Sequence, residues 1–321
     1  MADFAIEIQF HAAHFNAIAP CARIPNAVKL AVLSRQPALY ANRRLQQAAA
    51  ARGAALVIAD PLHADADDAC FEGVDAVIPR FTPRWQAAGG RLLAGLAARG
   101  LVSVNGAPAL ALARDRVRST ARFLGAGLPI PETRRPDGMP DAAWLAALPF
   151  GFPMVLKRDD SAQGDGVLLL PDAATALARM AELACKGVGF QLQEYIAEAA
   201  GSDLRLFVLG GEVIAAMRRI AAPGEFRANV HLGARAEAYA PSKDETTLAI
   251  KAVAALGLDL GGVDILRTGH GPLLLEVNAC PGFEALEAAT GCDIAGKLLD
   301  FLASRILPQN GASDNQNIRG N

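Results

Sequence analysis

Two patterns of apolar residues follow one another along this chain and meet near residue 127. From Val28 onward, short strand-like segments alternate with helical ones, and the strand-like segments are VKLAVLSR, ALVIAD, DAVIPR and LVSVN. Helices are predicted at 43–52, 87–99 and 110–125. Strands rich in β-branched residues and separated by helices are typical of a parallel sheet with crossover helices. Residues 28–113 are therefore predicted to form a doubly wound α/β domain.

After a connection rich in Pro and Gly at 127–140, the strand-like segments follow one another through short turns. These segments are FPMVLKRD, GVLLL, FQLQEYI, SDLRLFVLGG and EVIAAMRRI, with one helix at 173–186. A helix at 246–256, a hairpin of GGVDILR and PLLLEVN, and a closing helix at 294–306 complete the pattern. The arrangement predicts antiparallel sheets of the α+β type.

The composition excludes several classes of protein. Of 321 residues, 52% are hydrophobic and 20% charged, which is enough apolar material for two or three packed units. A formal net charge of −2 gives no long-range attraction for nucleic acid or an anionic membrane, and no apolar run is long enough to span a bilayer. The five cysteines are widely spread and lack a CxxC pair, which favours buried thiols in a reducing cytoplasm over disulfides or a zinc site.

The two ends of the chain are predicted to lie outside these units, as an N-terminal extension at 1–27 and a disordered tail at 308–321. No Lys or Arg precedes Arg23, so the charged start of a signal peptide is missing. His11 and His14 could share a helix face as metal ligands, and the alternative is that they are ordinary, partly buried histidines. We expect a cytoplasmic protein.

Asp264, Glu276 and Asn278 form the most informative group of polar residues. Glu276 and Asn278 are two positions apart on a predicted strand, and a hairpin turn about His270 places Asp264 across from Glu276, with Cβ atoms roughly 5 Å apart. Two unpaired carboxylates at this spacing repel each other unless a cation joins them. Oxygen ligands without His or Cys favour Mg2+ or Mn2+ over zinc. The alternative is a solvated outer face of the hairpin, but the apolar neighbours of these residues favour the metal.

Lys157 is followed by the glycine-containing segment DDSAQGDG. A strand, a loop containing Gln163, Gly164 and Gly166, and a second strand predict a flexible hairpin whose N–H groups can close over phosphate oxygens, with the lysine as a point charge. The segment is not a Walker A loop because no GK[ST] follows. By itself the segment is better interpreted as an ordinary tight turn.

Arg227 and Asn229 lie two positions apart in the segment GEFRAN. Their side chains can present hydrogen-bond donors to one transferring phosphoryl group, where negative charge must be held in the transition state. The alternative is a surface loop with an ion pair between Glu225 and Arg227.

The order of these motifs is similar to a known family: KRDDSAQGDGV, QEYIAEAAGSDLRLFV, GEFRANVHLGA, GVDIL, LLLEVNACPGFE and TGCDIAGK. The chain resembles the ATP-grasp superfamily over 28–306, and within it the RimK-like branch of alpha-L-glutamate ligases, whose founding member adds glutamate to the C-terminus of a small-subunit ribosomal protein. The resemblance implies a pre-ATP-grasp domain at 28–113, an ATP-grasp central lobe at 114–190 and an ATP-grasp C-terminal lobe at 191–307.

The resemblance also implies roles for individual residues. Contacts to ATP are implied for Arg116, Lys157, Gln163, Gly164, Gly166, Glu194, Tyr195 and Asp203. Arg227 and Asn229 would face the phosphoryl group, and Asp264, Glu276 and Asn278 would hold two Mg2+ or Mn2+ ions. Substrate contacts are implied for Arg80, Arg219 and His231.

The implied activity is that of an ADP-forming acid–amino acid ligase. A carboxylate would attack the γ-phosphate of ATP, and the amino group of glutamate or another amino acid would then attack the acyl phosphate. The acceptor would be a protein or a small molecule, and the enzyme a homo-oligomer. The alternative is an ATP-grasp protein that binds nucleotide for regulation without turnover.

Two positions depart from the family pattern. Arg116 stands where the family usually has a lysine, and Leu232 stands where the founding member has an arginine. The first change keeps the charge but alters its geometry. The second leaves fewer cations near the acceptor site, which argues against a strongly acidic acceptor.

Overall fold

The computed structural model describes residues 28–159, 166–228 and 233–306. The predicted extension and tail therefore lie outside the described residues. Within those ranges, no helix combines the length and the apolar character needed to cross a bilayer.

The first unit is built on a parallel sheet. Its strands are β1 (Lys29–Leu33), β2 (Ala55–Ala59), β3 (Ala76–Pro79) and β4 (Val102–Ser103), in the order β2-β1-β3-β4. Its helices are α1 (Tyr40–Arg52), α2 (Gln86–Ala98), α3 (Ala107–Arg114) and α4 (Arg116–Gly125). Because side chains alternate along a strand, Leu30 and Val32 pack with α1, whereas Ala31 and Leu33 pack with α2. Helices cover both faces, which confirms the doubly wound α/β prediction.

The second unit is an antiparallel sheet with its own core. Its strands are β5 (Thr133–Arg134), β6 (Met154–Arg158), β7 (Val167–Leu170) and β8 (Phe190–Glu194), in the order β5-β8-β6-β7. Its helices are α5 (Ala142–Ala146) and α6 (Ala173–Cys185). The boundary predicted between 190 and 191 falls inside β8, which pairs with β6. The pairing of β8 places this strand with the second unit, and the predicted domain limits stay predictions.

The third unit is a larger antiparallel sheet. Its strands are β9 (Ser202–Leu209), β10 (Glu212–Ile220), β11 (Arg235–Ala238), β12 (Leu260–Thr268) and β13 (Gly271–Asn278), in the order β11-β10-β9-β12-β13. Its helices are α7 (Lys243–Ala255), α8 (Glu284–Thr290) and α9 (Ile294–Ile306). Leu204 and Leu206 pack towards α7, whereas Phe207 and Leu209 pack on the other face against α9. The rest of that second face is polar and carries the candidate site.

The hydrophobic cores tie the first and third units together. Two clusters each contain buried residues of both units, for example Val77 with Val263 in one and Ile78 with Phe207 in the other. The core of the second unit lies entirely within residues 145–192. The first and third sheets therefore share a continuous interior, and the second sheet packs around a separate one.

Three local details differ from the sequence predictions. The helix expected at 110–125 is two helices, because Asp115 is extended and caps α4 by accepting a hydrogen bond from the Arg118 N–H at 3.0 Å. Helix α7 begins at Lys243, three positions before the predicted start, because Ser242 and Glu245 form a capping box. Helix α8 was not predicted.

Candidate functional site

The structure confirms the predicted pairing of Asp264 with Glu276 in the hairpin β12–β13, although the turn lies at 269–270 and the pairs between Asp264 and the turn are shifted by one residue. Asp264 pairs with Glu276, and Gly262 pairs with Asn278, so the three polar side chains share one face. A bulge follows Asp264, since the next residue pairs with Leu274. Asp264 is buried at 2% exposure, whereas Glu276 and Asn278 are exposed. The predicted metal ligands thus meet where the buried and open parts of this face join.

Asp264 is not an unpaired carboxylate, and this corrects the expected repulsion between Asp264 and Glu276. Both Asp264 oxygens accept hydrogen bonds from Arg205, the second from Nη2 at 2.7 Å. Arg219 Nη2 lies 2.9 Å from Asp264 Oδ2 and 2.6 Å from Asp203 Oδ2. The buried cluster of two carboxylates and two guanidiniums is balanced in charge.

The cluster has consequences for the ionisation of its members. Burial raises the pKa of Asp264, but Arg205 and Arg219 outweigh it and hold this pKa below its ordinary value. Burial has the larger effect at Asp203 and raises its pKa to about 6. Arg219, for which a substrate contact was predicted, is occupied with Asp203 and Asp264, and its substrate role stays a prediction.

The oxygen atoms of Asp264, Glu276 and Asn278 have lone pairs left to bind a cation. An ionised carboxylate has about four lone-pair positions. Asp264 uses three of them for N–H donors, and Asn278 Oδ1 accepts one hydrogen bond from the Cys280 N–H at 2.9 Å. Glu276 has no hydrogen bond or ion pair to another described residue. Glu276 would therefore be the principal ligand, and the all-oxygen donor set fits Mg2+ or Mn2+.

Among the described residues, no group of three or more His, Cys, Asp or Glu side chains could hold a metal ion. The predicted trio contains only two carboxylates, and its third member is the amide of Asn278.

Two cations lie opposite these carboxylates, and the space between the cations and the carboxylates is the cleft of the candidate site. Lys157 on β6 is 5% exposed, and its ammonium has no hydrogen bond or ion pair with another described residue. Burial and the neighbouring Arg116 lower its pKa to about 8, while Glu276 and Asp264 act in the opposite direction. The Nε atom of Arg116 is buried without a hydrogen-bond partner in the described part of the chain. Two neighbouring cations lacking such contacts suit a polyanionic ligand.

The glycine loop after Lys157 is only partly described. Gln163 and Gly164 lie outside the described residues. Gly166 lies at the entry to β7, and its carbonyl accepts a hydrogen bond from the Arg158 N–H at 3.0 Å. The predicted phosphate contacts of this loop stay predictions.

The predicted nucleotide-contacting residues Glu194, Tyr195 and Asp203 lie around the end of β8 and the start of β9. Tyr195 makes an edge-to-face contact with Phe226, with ring centroids 6.3 Å apart. The backbone N–H of Glu194 donates to the Glu132 carbonyl at 2.8 Å. Asp203 begins the next strand and holds Arg219. The contact of Tyr195 with Phe226 joins the end of β8 to the loop that carries Arg227.

Arg227 forms the ion pair that the alternative interpretation predicted. Glu225 accepts from the Arg227 backbone N–H at 2.9 Å, from Nε at 3.0 Å and from Nη2 at 2.8 Å. The side-chain hydrogen bond from Arg227 lowers the pKa of Glu225 to about 2, against the opposing effect of burial. Asn229 and His231 lie outside the described residues, as does Leu232. The phosphoryl contact of Arg227 remains a prediction.

Arg80 lies at the carboxyl end of β3, next to the loop that follows β13. Its Nη1 donates to the Pro281 carbonyl at 2.7 Å, and its guanidinium lies 5.7 Å from the centroid of the Phe283 ring. Since β1 pairs with β2 on one side and β3 on the other, this is the topological switch point of the sheet, where ligands of α/β folds bind. The substrate contact of Arg80 stays a prediction.

Sequence patterns gave no signal for two residues next to the site. Arg114 ends α3, and its Nη2 lies 3.3 Å from Cys280 Sγ. Asn105 follows β4 and reaches the open end of the β12–β13 hairpin. Both act through contacts with residues more than 150 positions away, which periodicity cannot predict.

Comparison with known proteins agrees with the fold and with the motif order. Residues 28–110 match the RimK pre-ATP-grasp domain, and residues 113–302 match the RimK-like ATP-grasp domain. Proteins named "Probable alpha-L-glutamate ligase" from Pseudomonas aeruginosa and Azotobacter vinelandii are each 39% identical over 289 residues, which is 86% of this chain and 95% of theirs.

Solved structures give the same result. A RimK domain ATP-grasp protein from Sphaerobacter thermophilus has 28% identity and a TM-score of 0.68, covering 85% of this chain and 99% of its own. A D-alanine–D-alanine ligase from Bacillus anthracis, complexed with ATP, shares the fold at 16% identity and a TM-score of 0.68, covering 87% of this chain and 98% of its own. With both domain matches in chain order and close relatives along most of its length, this chain belongs to the RimK-like ATP-grasp ligases.

Proposed function

We propose that this protein is an ADP-forming ligase that activates a carboxylate with ATP and joins it to the amino group of glutamate or a related amino acid. The observation that carries the proposal is that charges of opposite sign, without partners of their own in the described part of the chain, lie on the two sides of the cleft. Among the described residues, Lys157 and Arg116 have no anionic partner within ion-pair distance, and Glu276 has no cationic one. A nucleotide polyphosphate with a divalent ion supplies both missing partners.

The residues of the cleft have different roles in this proposal. Lys157 and Arg116 would hold phosphate oxygens, and Glu276, Asn278 and Asp264 would hold the metal. The divalent ions, when bound, neutralise the oxygens of the phosphoryl group and assist its transfer to the carboxylate. Arg205 and Arg219 keep Asp264 ionised and oriented.

Arg227 acts in the phosphoryl-transfer step of the proposed reaction. Its pair with Glu225 is partly exposed, with 25% and 26% of the two side chains accessible, so solvent weakens the attraction. The guanidinium can therefore exchange part of this contact for a phosphoryl oxygen at small cost. The charge that develops during phosphoryl transfer favours that exchange most in the transition state.

Glutamate is proposed because the relatives that match most of the chain are named as alpha-L-glutamate ligases. The acceptor is proposed only as a carboxylate-bearing protein or small molecule. A homo-oligomer in the cytoplasm remains our expectation for the assembled enzyme, and size-exclusion chromatography with light scattering tests the oligomeric state.

ADP release tests the proposal directly. The protein is incubated with ATP, Mg2+ and L-glutamate or another amino acid, crossed with acceptor pools of small carboxylates and cell protein. We expect release that requires both an amino acid and Mg2+ or Mn2+, and that zinc does not restore after chelation. Glu276→Gln is the matched control, because the amide keeps the shape but loses the charge. Nucleotide binding without any amino-acid-dependent release would favour the regulatory alternative.

A further inference from the structure

Two arginines beside the cleft, like Arg116, have no carboxylate partner among the described residues, whereas the buried Arg52, Arg205 and Arg219 each have one. Arg80 and Arg114 are both half-buried, and neither lies within ion-pair distance of an acidic side chain in the described ranges. Burial lowers the pKa of both guanidiniums. By comparison, Arg52 is 6% exposed and contacts Asp300 at 2.7 Å.

The hydrogen bonds of the two arginines satisfy them only in part. Arg80 donates from Nη1 to the Pro281 carbonyl, and its Nε is buried without a hydrogen-bond partner in the part of the chain that the structure describes. Arg114 donates to the Phe81 carbonyl and to the side chain of Gln86, both neutral acceptors. Neutral acceptors satisfy N–H groups but do not compensate an enclosed charge, which is costly to keep away from water without an anion.

The two guanidiniums border the same short segment. Arg114 Nη2 lies 3.3 Å from Cys280 Sγ, and this thiol lies 3.3 Å from the Pro79 carbonyl, one residue before Arg80. Cys280 follows the proposed metal ligand Asn278 by two positions. The pair therefore lies between the switch point of the parallel sheet and the proposed phosphoryl-transfer site.

We propose that Arg80 and Arg114 form a subsite for a substrate carboxylate that is held while a neighbouring group reacts. This inference rests on the proposed ligase function and specifies where its carboxylate substrate binds. A planar guanidinium matches a carboxylate with two parallel hydrogen bonds, and the sealed Nε of Arg80 lacks one such acceptor. The carboxylate could belong to the free amino acid or to the acceptor, and both present the same chemistry.

A purely structural role predicts different behaviour. If Arg80 served mainly to stabilise the fold, its removal would lower the melting temperature. If Arg80 instead serves to bind a ligand, its replacement by methionine should leave the melting temperature unchanged or raise it. The substitution removes an uncompensated charge, and a long apolar side chain can keep the contact with Phe283. The two roles can therefore be separated without measuring turnover.

The experiment uses calorimetric titration of the full chain in the presence of ADP and Mg2+. The probes are L-glutamate, which has the reactive amine, and N-acetyl-L-glutamate, which has only the carboxylates. The variants are Arg80→Met, Arg80→Lys and the control Arg52→Met, whose arginine has acidic partners. We expect Arg80→Met to weaken probe binding tenfold or more, Arg80→Lys to weaken it less, and both to keep ADP affinity within twofold.

The outcomes distinguish the sources and the hypotheses. Binding of N-acetyl-L-glutamate assigns the subsite to the acceptor, and binding of L-glutamate alone assigns it to the amino acid. Arg52→Met should lower the melting temperature without changing probe binding. Failure of both probes to bind the wild type, or equal binding by Arg80→Met, overturns the subsite. Retained probe binding without amino-acid-dependent ADP release would instead contradict the ligase proposal and leave the subsite standing.

Discussion

Replacing Asn105 with Ala should produce one of the largest losses of stability available to a single substitution in this chain. Asn105 is 1% exposed and is the one non-glycine residue of the described ranges with positive φ, at 67°. Its Nδ2 donates to the Leu260 and Ala279 carbonyls at 2.7 Å each, and its Oδ1 accepts from the Asp259 and Leu260 N–H groups at 2.9 and 3.0 Å. One side chain thus joins the first unit to both strands at the open end of the hairpin.

The expected cost follows from these contacts. Each hydrogen bond contributes a net amount of about 1 kcal/mol, and four are lost. Alanine also tolerates positive φ less well than asparagine, which adds about 1 kcal/mol. The sum is about 4 to 5 kcal/mol, a large fraction of the free energy of unfolding of a typical protein.

Urea unfolding followed by circular dichroism measures this cost, and hydrogen exchange at the Asp259 and Leu260 amides localises it. Asn42→Ala is the matched control, because Asn42 is 0% exposed but its two hydrogen bonds, each 2.8 Å long, stay within the first unit. Asn105→Gly removes the hydrogen bonds while permitting positive φ. If Asn105→Ala costs no more than Asn42→Ala, or if Asn105→Gly matches the wild type, the reasoning from hydrogen bonds is wrong.

Three further predictions concern the site itself. Glu276→Gln should remove most turnover with an unchanged melting temperature, whereas Asp264→Asn should lower both, because its two guanidinium partners lose their anion; full activity in either variant would exclude that residue as a metal ligand. In the ligand-free protein, the free energy of unfolding should rise as the pH increases from about 8 to 10.5. Over this pH range, Lys157 binds more protons in the unfolded chain than in the folded one. Lys157→Met should reduce this rise in urea titrations at pH 7.5 and 9.5, and an identical rise in both proteins would contradict the lowered pKa. Arg227→Lys should lower kcat by roughly two orders of magnitude with little change in the ATP dissociation constant measured by calorimetry, and the opposite result would make Arg227 a nucleotide contact.

The parts of the site that depend on local patterns were predictable from the sequence. A hairpin turn about His270 was the basis for pairing Asp264 with Glu276, and this pair is observed. The turn at 269–270 alone would pair Asp264 with Leu275, and the bulge after Asp264 restores the predicted pair. The β-bulge at this pair was not predicted, because a bulge changes the register without leaving a distinct sequence signal. The cap at Asp115 had a signal, since an aspartate followed by a helical stretch is a common start of a helix.

The electrostatic environment of Asp264 was not predictable in the same way. Its partners Arg205 and Arg219 lie on two other strands, and they meet Asp264 only because β9 lies between β10 and β12. The strand order of an antiparallel sheet is a long-range property, so sequence spacing could not show that this carboxylate is paired. The expected repulsion was wrong for that reason, although the pairing of Asp264 with Glu276 was right.

The division of the cores relates the fold to the chemistry. Glu276, Asn278, Arg80 and Arg114 belong to the first and third units, whose interiors are continuous, so the fold fixes the proposed metal site and the proposed carboxylate subsite relative to each other. Lys157 belongs to the second unit, which packs around its own core. The position of Lys157 relative to Glu276 is therefore fixed by fewer packed contacts than the relative positions of residues in the first and third units. A ligand that binds Lys157 on one side and Glu276 on the other would supply the missing attraction between the units, and nucleotide binding would then complete a site whose carboxylate subsite is already in place.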